Sequence, residues 1–432
     1  MLRSAACGFG SLALAGMHDA FALSDNPLAA QSPLIPQRAK RVIFIFMAGG
    51  PSHVDTFDYK PALAKDDGKK LKEFGSRKLL QSPWKFNKHG QSGLEISELY
   101  PRLAKHADKL CVLNGMYADI PNHPQCFVQL HTGSFQFVRP SLGSWALYGL
   151  GTENQNLPGF VTINPPSRVG GAQNYGNAFL PAIYQGSRVG SLGQSLKDVK
   201  VENLGNKRLS ELEQRKQLDF IQSMNRDFKS GDQEDSQIDG VIQSYELAFR
   251  MQAAAPEAFD ITGETAITKK MYGLDEEHTQ SFGYRCLLAR RLAERGVRFI
   301  QVQCGKGDGL DWDQHGELEK GHRKNAAATD QPVGALLTDL ESRGLLDDTL
   351  VVWGGEFGRT PTSQGTDGRE HHPHGYTLCL AGAGIRGGHI YGSTDEFGWN
   401  SQEKRMHIHD FHATLLHLMG IDHEKLTYRY DG

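Results

Sequence analysis

The stretch from Leu350 to Tyr376 constrains this chain most. It opens with Leu350-Val351-Val352-Trp353, a β-branched, apolar run that reads as a buried strand. Gly354 and Gly355 follow, then Glu356, so a carboxylate stands where the strand ends. A polar segment then leads to Glu370, His371, His372 and His374. In an open α/β sheet, ligand and catalytic groups gather beyond the carboxyl ends of the strands. A strand-end carboxylate followed by a histidine-dense loop reads as half of a metal site, because imidazole and carboxylate together suit zinc-like ions. The plainer alternative is a solvated loop rich in histidine.

Other runs repeat the pattern. Arg41 to Met47 is a continuous apolar strand that ends in Gly49-Gly50-Pro51-Ser52-His53-Val54-Asp55 and, further on, Asp58. Leu110 to Asn114 is a second strand, followed by Asp119 to Pro124 and a helix closed by Thr132-Gly133. A helix start at that place aims free N–H groups at an anion. Val297 to Gln303 is a third strand, and its loop carries Asp311, Asp313 and His315. Thr349 to Trp353 is the fourth and Tyr376 to Ala381 the fifth. Helices are expected at Ser97 to Lys109, Gln280 to Gly296, Glu317 to Arg343 and Met406 to Met419. Asn206 to Arg226 and Ser236 to Ala255 read as long polar helices, a lobe or cap beside the sheet. Residues 140–200 are rich in Gly and Pro and read as loops and short strands. Strands alternating with helices predict an α/β domain with a mostly parallel sheet.

Composition narrows the function classes. The 432 residues are 39% hydrophobic and 22% charged, with a formal net charge of -3. No Lys/Arg block stands out, so nucleic-acid binding has no electrostatic support. The six cysteines form no CxxC or other zinc-finger spacing and imply no disulfide framework. No run reaches the roughly 18 apolar residues of a membrane span. Met1-Leu2-Arg3 leads into a small-residue, mildly apolar segment reaching Gly16, like the core of an export signal. Its weak hydrophobicity suits the twin-arginine route, although the arginine pair is absent. A frayed N-terminal helix is the alternative. Residues 1–40 are thus expected to be an export-signal remnant and linker, and 41–432 a single domain with a helical lobe at 206–255.

If the first, third and fourth strand ends lie side by side, His53, Asp55, Asp311, Asp313, His315, Glu356, His371 and His372 can converge. Two divalent ions held about 3.5–4 Å apart would then clamp an in-line displacement. Arg359 offers either a planar anion clamp or a salt bridge. His407, His409, His412 and His417 lie on or near the last helix and read as surface histidines or supports of other groups.

Several longer stretches carry a family resemblance. They are GGPSHVDTFDYKP (Gly49 to Pro61), ARRLAERGVRFIQV (Ala289 to Val302), WDQH (Trp312 to His315) and the segment Asp330 to Pro361. GREHHPHGYT (Gly368 to Thr377) and the tail His409 to Gly432 complete the set. On these the chain resembles the DUF1501 family of sulfatase-like proteins, placed in the alkaline phosphatase-like superfamily. The resemblance implies a three-layer α/β/α core, an exported protein with a twin-arginine leader, and a natural chain somewhat longer at both ends. It also implies metal-dependent chemistry on phosphate or sulfate esters.

Position by position, the resemblance assigns the first-strand Asp to Asp55, with His53 nearby. It assigns the middle Asp-then-His pair to Asp313 or Asp311 with His315, the strand-end acid to Glu356, and the late histidine to His371. Phe357 replaces a histidine ligand, which His372 or His53 would supply instead. The nucleophile's position falls on His123, with Asn122, Cys126 and Ser52 nearby. Histidine can attack phosphorus but cannot become the formylglycine of sulfatases. The expectation is therefore an exported metal-dependent hydrolase of phosphate or sulfate esters. His123 and Arg359 would do the chemistry, beside zinc foremost, or calcium or manganese. The substrate would be a small anionic ester or a sulfated or phosphorylated glycan. The alternative is a non-catalytic metal-containing scaffold on the same fold.

Overall fold

The computed structural model describes residues 26–190, 208–229, 236–305 and 310–430. The expected export signal at Met1 to Gly16 lies outside them.

Arg41–Phe46 (β1) shows how the core is built. All six residues are buried. Val42, Phe44 and Phe46 enter one apolar cluster, while Ile43, Ile45 and the following Met47 enter another. A strand buried on both faces needs apolar side chains in both directions, which is why its sequence is a continuous run rather than an alternation. The other strands of the sheet are Cys111–Tyr117 (β2), Phe160–Ile163 (β3), Ser187–Val189 (β4), Phe299–Gln303 (β5) and Thr349–Gly354 (β6). Gly358–Gln364 (β7) and Gly368–His372 (β8) form a separate two-stranded hairpin. Tyr376–Ala381 (β9), His389–Tyr391 (β10) and Met406–His407 (β11) return to the sheet.

The nine-stranded sheet runs β10-β2-β9-β6-β1-β5-β3-β4, with β11 also pairing β2. Only β9 runs antiparallel to its neighbours. His123–Thr132 (α1), Leu142–Leu150 (α2) and Ile408–Leu418 (α7) cover one face, packing Phe127, Leu147 and Phe411 into the cluster of Phe44 and Phe46. Gln280–Glu294 (α5) and Leu318–Ser342 (α6) cover the other, packing Leu288 and Leu337 against Ile43 and Ile45. Burying a side chain such as Phe127 contributes about 1.5–3 kcal/mol. The fold is therefore a three-layer α/β/α sandwich with a mostly parallel sheet, as the alternating pattern predicts.

Glu211–Lys229 (α3) and Ser236–Phe259 (α4) are the two long helices expected beside the sheet. Arg215 forks onto Glu246, with two N–O distances of 2.8 Å, and joins them. Within the stretch expected to be loops and short strands, residues 140–190 hold the short strands and, beyond the expectation, a helix. They contain α2, β3 and β4, and β3 lies inside the main sheet. Glycines at 143, 149 and 151 hid α2. The segment after Glu356, a loop by its polar sequence, is the β7–β8 hairpin.

Candidate metal centre

Helix α1 begins at a well-marked place. Asn122 adopts an extended conformation and its side chain accepts from the Gln125 N–H, Pro124 sits in the first turn, and Gly133 closes the far end in a left-handed conformation. These are the usual start and stop signals. They put His123 at the tip of the helix, beside Glu356, which follows β6. Glu356 is fully buried. Its carboxylate accepts the Gly49 N–H at 3.1 Å, so the end of β1 contributes backbone to the site. Gly49 has φ +110, and a Cβ there would stand 2.7 Å from the Trp312 nitrogen. Glycine is what lets the loop bearing Asp313 approach β1.

Asp313 is the focus. Its Oδ1 lies 3.2 Å from His123 Nε2, 2.9 Å from His315 Nε2 and 3.0 Å from His371 Nε2. Behind it, Arg359 Nη2 stands 2.6 Å away. Each imidazole is anchored by its other nitrogen. His123 Nδ1 lies 2.5 Å from Glu356 Oε1, and His371 Nδ1 lies 2.8 Å from the Pro121 carbonyl. His315 Nδ1 meets Gln364 Oε1, with Glu370 Oε1 at 3.5 Å. All of these partners are oxygen acceptors, so with a cation in place each ring would carry its proton on Nδ1 and aim an Nε2 lone pair inward. Such second contacts are the ordinary support of metal-binding histidines.

This convergence tests whether the residues fit a metal. His315 Nε2 and His371 Nε2 stand 2.9 Å apart. Two ring nitrogens and a carboxylate oxygen at that range can share one cation, or in its absence ring protons donated to Asp313. Three imidazoles and a carboxylate form a nitrogen–oxygen donor set of the kind zinc takes. Two overlapping groups qualify among the described residues, His123–Asp313–His371 and His315–Glu370–His371. His371 has only Nε2 to offer, since Nδ1 is held by Pro121. The two groups therefore share His371 Nε2.

In the absence of an ion, ring protons take its place. Burial alone would lower His123, but hydrogen bonds to Asp313 and Glu356 outweigh it and raise it to about 9. Burial alone would raise Asp313, but hydrogen bonds from His123 and His371 and the charge of Arg359 hold it far below the usual carboxylate range. The site grades from buried His123 and Glu356 to His315, whose side chain is 37% exposed. It opens to solvent on the side of His315 and Glu370.

The structure brings together His123, Asp313, His315, Glu356 and His371. It does not bring Asp55, His53, His372 or Asp311 into either group. Asp55 is fully buried with its oxygens taken by Arg369, at 2.7 and 3.1 Å, and by the Ser52 hydroxyl at 2.5 Å. A carboxylate so enclosed has no face left for an ion, so the first-strand acid is corrected from ligand to ion-pair partner. His53 Nε2 lies 2.8 Å from the Gly398 carbonyl. His372 Nε2 lies 2.5 Å from the Trp399 carbonyl, with its ring against that indole. Both are therefore turned to backbone, and neither replaces the histidine that Phe357 displaces. Asp311 lies against Gly305, and the choice between Asp311 and Asp313 falls on Asp313.

Arg359 is the salt bridge rather than the anion clamp. It is fully buried, and besides Asp313 it donates to the carbonyls of Gly50 at 2.8 Å, Arg369 at 3.1 Å and Gly49. The last-helix histidines support other groups. His409 and His412 contact the carbonyls of Gly133 and Leu130 at the end of α1, at 2.6 and 2.7 Å. Sequence reasoning missed Gln364 and Arg369 as supports of the site, and named Glu370 only as part of the histidine-dense segment. The available signal was a hairpin: Gly365-Thr366-Asp367-Gly368 between two threonine- and histidine-bearing runs.

A family model described as "Protein of unknown function (DUF1501)" matches residues 39–432. The chain belongs to that family. No curated protein matches this DUF1501 chain. Among solved structures it is similar to the lipoteichoic acid synthase LtaP from Listeria monocytogenes, 9% identical, covering 91% of this chain and 76% of that one at a TM-score of 0.38. It is similar to the PsFucS1 sulfatase from Pseudoalteromonas sp., 14% identical, covering 91% and 69% at 0.37. It is also similar to a protein in the alkaline phosphatase superfamily from Vibrio parahaemolyticus, 10% identical, covering 91% and 70% at 0.38. These likenesses are too distant to assign a role to any residue of the DUF1501 chain.

Proposed function

We propose that this DUF1501 chain is a metal-dependent hydrolase of phosphate or sulfate esters. One observation carries the reading: three imidazole Nε2 atoms converge on Asp313 Oδ1, each with its Nδ1 held by an oxygen. Asp313, His123 and His371 would hold a divalent ion, zinc being the best match to the donors, with His315 beside them. When bound, such an ion supplies Lewis-acid stabilisation to the ester's oxygens. Glu356 keeps the His123 proton on Nδ1, and the Pro121 carbonyl does the same for His371. Arg359 fixes Asp313 and offsets part of its charge. His315 and Glu370 line the open side, where a small anionic ester or a sulfated or phosphorylated glycan would arrive.

The attacking group follows by elimination. His123 has both nitrogens engaged, so its role passes from nucleophile to ligand. Ser52 donates its hydroxyl to Asp55. The Cys126 thiol donates to the Glu356 carbonyl at 3.0 Å, and burial pushes its pKa well up. Water is then the attacking group, which makes the reaction a hydrolysis. The same lack of a free side-chain nucleophile favours the second reading, a metal-containing scaffold without turnover. We also propose export by the twin-arginine route from a leader within residues 1–40, ahead of one domain whose lobe is the α3–α4 pair. No helix among the described residues is long and apolar enough to cross a membrane.

Metal analysis of the purified chain, followed by a panel of nitrophenyl phosphates and sulfates, tests the reading. Stoichiometric metal with turnover that Asp313→Asn abolishes is the expected result. Metal without turnover supports the scaffold, and absence of both ends the metal reading.

A further inference from the structure

Arg369 lies two residues before His371 and takes no part in the ligand set, yet it is bonded on every side. Arg369 and Asp55 are both fully buried. Beyond its two contacts to Asp55, the guanidinium donates to the Thr360 carbonyl at 3.2 Å and the Leu80 carbonyl at 3.1 Å. Its backbone N–H donates to the Gln314 carbonyl at 3.1 Å, and its own carbonyl accepts from Arg359 at 3.1 Å. One residue thus ties the β7–β8 hairpin to the turn after β1, to the loop carrying Asp313 and His315, and to the arginine behind Asp313.

The hairpin register explains why Arg369 and His371 differ in direction. Arg369 pairs with Ser363 and His371 with Arg359, and the register shifts between them. An irregularity of that kind re-aims side chains along a strand. Arg369 therefore turns inward to Asp55 while His371 reaches Asp313. The approach of hairpin to loop is close: a Cβ on Gly368 would stand 1.9 Å from the His315 carbonyl oxygen.

We infer that Arg369, seated on Asp55, is the positioning residue for His371, and that this buried pair sets the spacing of the ligand nitrogens. The inference rests on the reading of Asp313, His123 and His371 as ligands. The pair touches none of them, but metal sites tolerate little displacement of their ligands, and loss of a supporting contact lowers affinity about 10–100-fold.

The test is the double variant Asp55→Leu/Arg369→Met, which removes both charges together. Apolar replacement of a whole buried pair is commonly neutral or better for stability. Zinc affinity is read by competition with a chromophoric chelator, and ligand geometry from the visible spectrum of the cobalt form. The expected result is zinc affinity 10–100-fold weaker and a shifted cobalt band, at an unchanged melting temperature of the metal-free protein. A folded double variant with zinc affinity within about twofold of the parent and the same cobalt spectrum overturns the inference. Should the double variant not fold, Ser52→Ala decides, since it removes only the hydroxyl that steadies Asp55. Weaker zinc binding supports the role, and unchanged binding overturns it. If the parent chain takes up neither ion, the metal centre itself falls. If the parent binds and the variants match it, only the positioning role falls.

Discussion

Asp55 and Asp313 follow two adjacent strands of one sheet and meet opposite fates. Asp55 is sealed, its charge answered by a guanidinium and a hydroxyl. Asp313 is partly open, with 22% of its side chain exposed, and faces three imidazole nitrogens as well as Arg359. A buried carboxylate paired to arginine is complete, and removing one partner strands the other charge at a cost of about 3–5 kcal/mol. A carboxylate facing several imidazole nitrogens is a donor set that a cation can complete. What surrounds the acid, rather than its place after a strand, decides between structural pair and ligand.

The sharpest way to break this contrast is by single substitution. Arg369→Leu strands Asp55 and is expected to destabilise the fold by about 3–5 kcal/mol in chemical denaturation. Asp313→Asn also leaves buried Arg359 without its carboxylate, so it too costs stability, and it is expected to weaken zinc binding by roughly 100-fold in titration calorimetry. Unchanged zinc binding in Asp313→Asn would erase the distinction. Next in size is Gly368→Ala. Its Cβ would collide with the His315 carbonyl, so a loss of about 1–3 kcal/mol is expected, with weaker zinc binding. Glu356→Gln keeps the shape but holds His123 less firmly, and zinc affinity should fall about 10–100-fold with little loss of stability.

The smallest expected effect is in the acid limb of the stability curve. Burial would raise the Asp55 carboxyl, but the charge and hydrogen bonds of Arg369 outweigh it and hold it below its usual value. A group depressed in the folded state contributes stability above its unfolded value, near 3.9, and loses it as pH falls through the folded value. The parent should therefore lose stability more steeply below about pH 4 than Asp55→Leu/Arg369→Met. Parallel acid limbs would show that Asp55 is not held down.

Much of this was legible in the sequence because fully buried strands leave continuous apolar runs. Arg41 to Met47, Val297 to Gln303 and Thr349 to Trp353 are such runs, and their polar ends pointed to Asp313, His315, Glu356 and His371. Asp55 looked equally eligible, because nothing local to it reveals that Arg369, more than 300 residues away, arrives beside it. The β7–β8 hairpin was masked by its polar residues, which are buried through hydrogen bonds rather than apolarity. His123 was located by the family resemblance, but its role depends on two carboxylates that only folding brings together.

A zinc-soaked crystal, mapped by anomalous scattering at the zinc edge, tests the central claim most directly. The account predicts one peak bounded by Asp313 Oδ1 and the Nε2 atoms of His123 and His371, with nothing at Asp55. A peak at Asp55, or none among the three histidines, would contradict it.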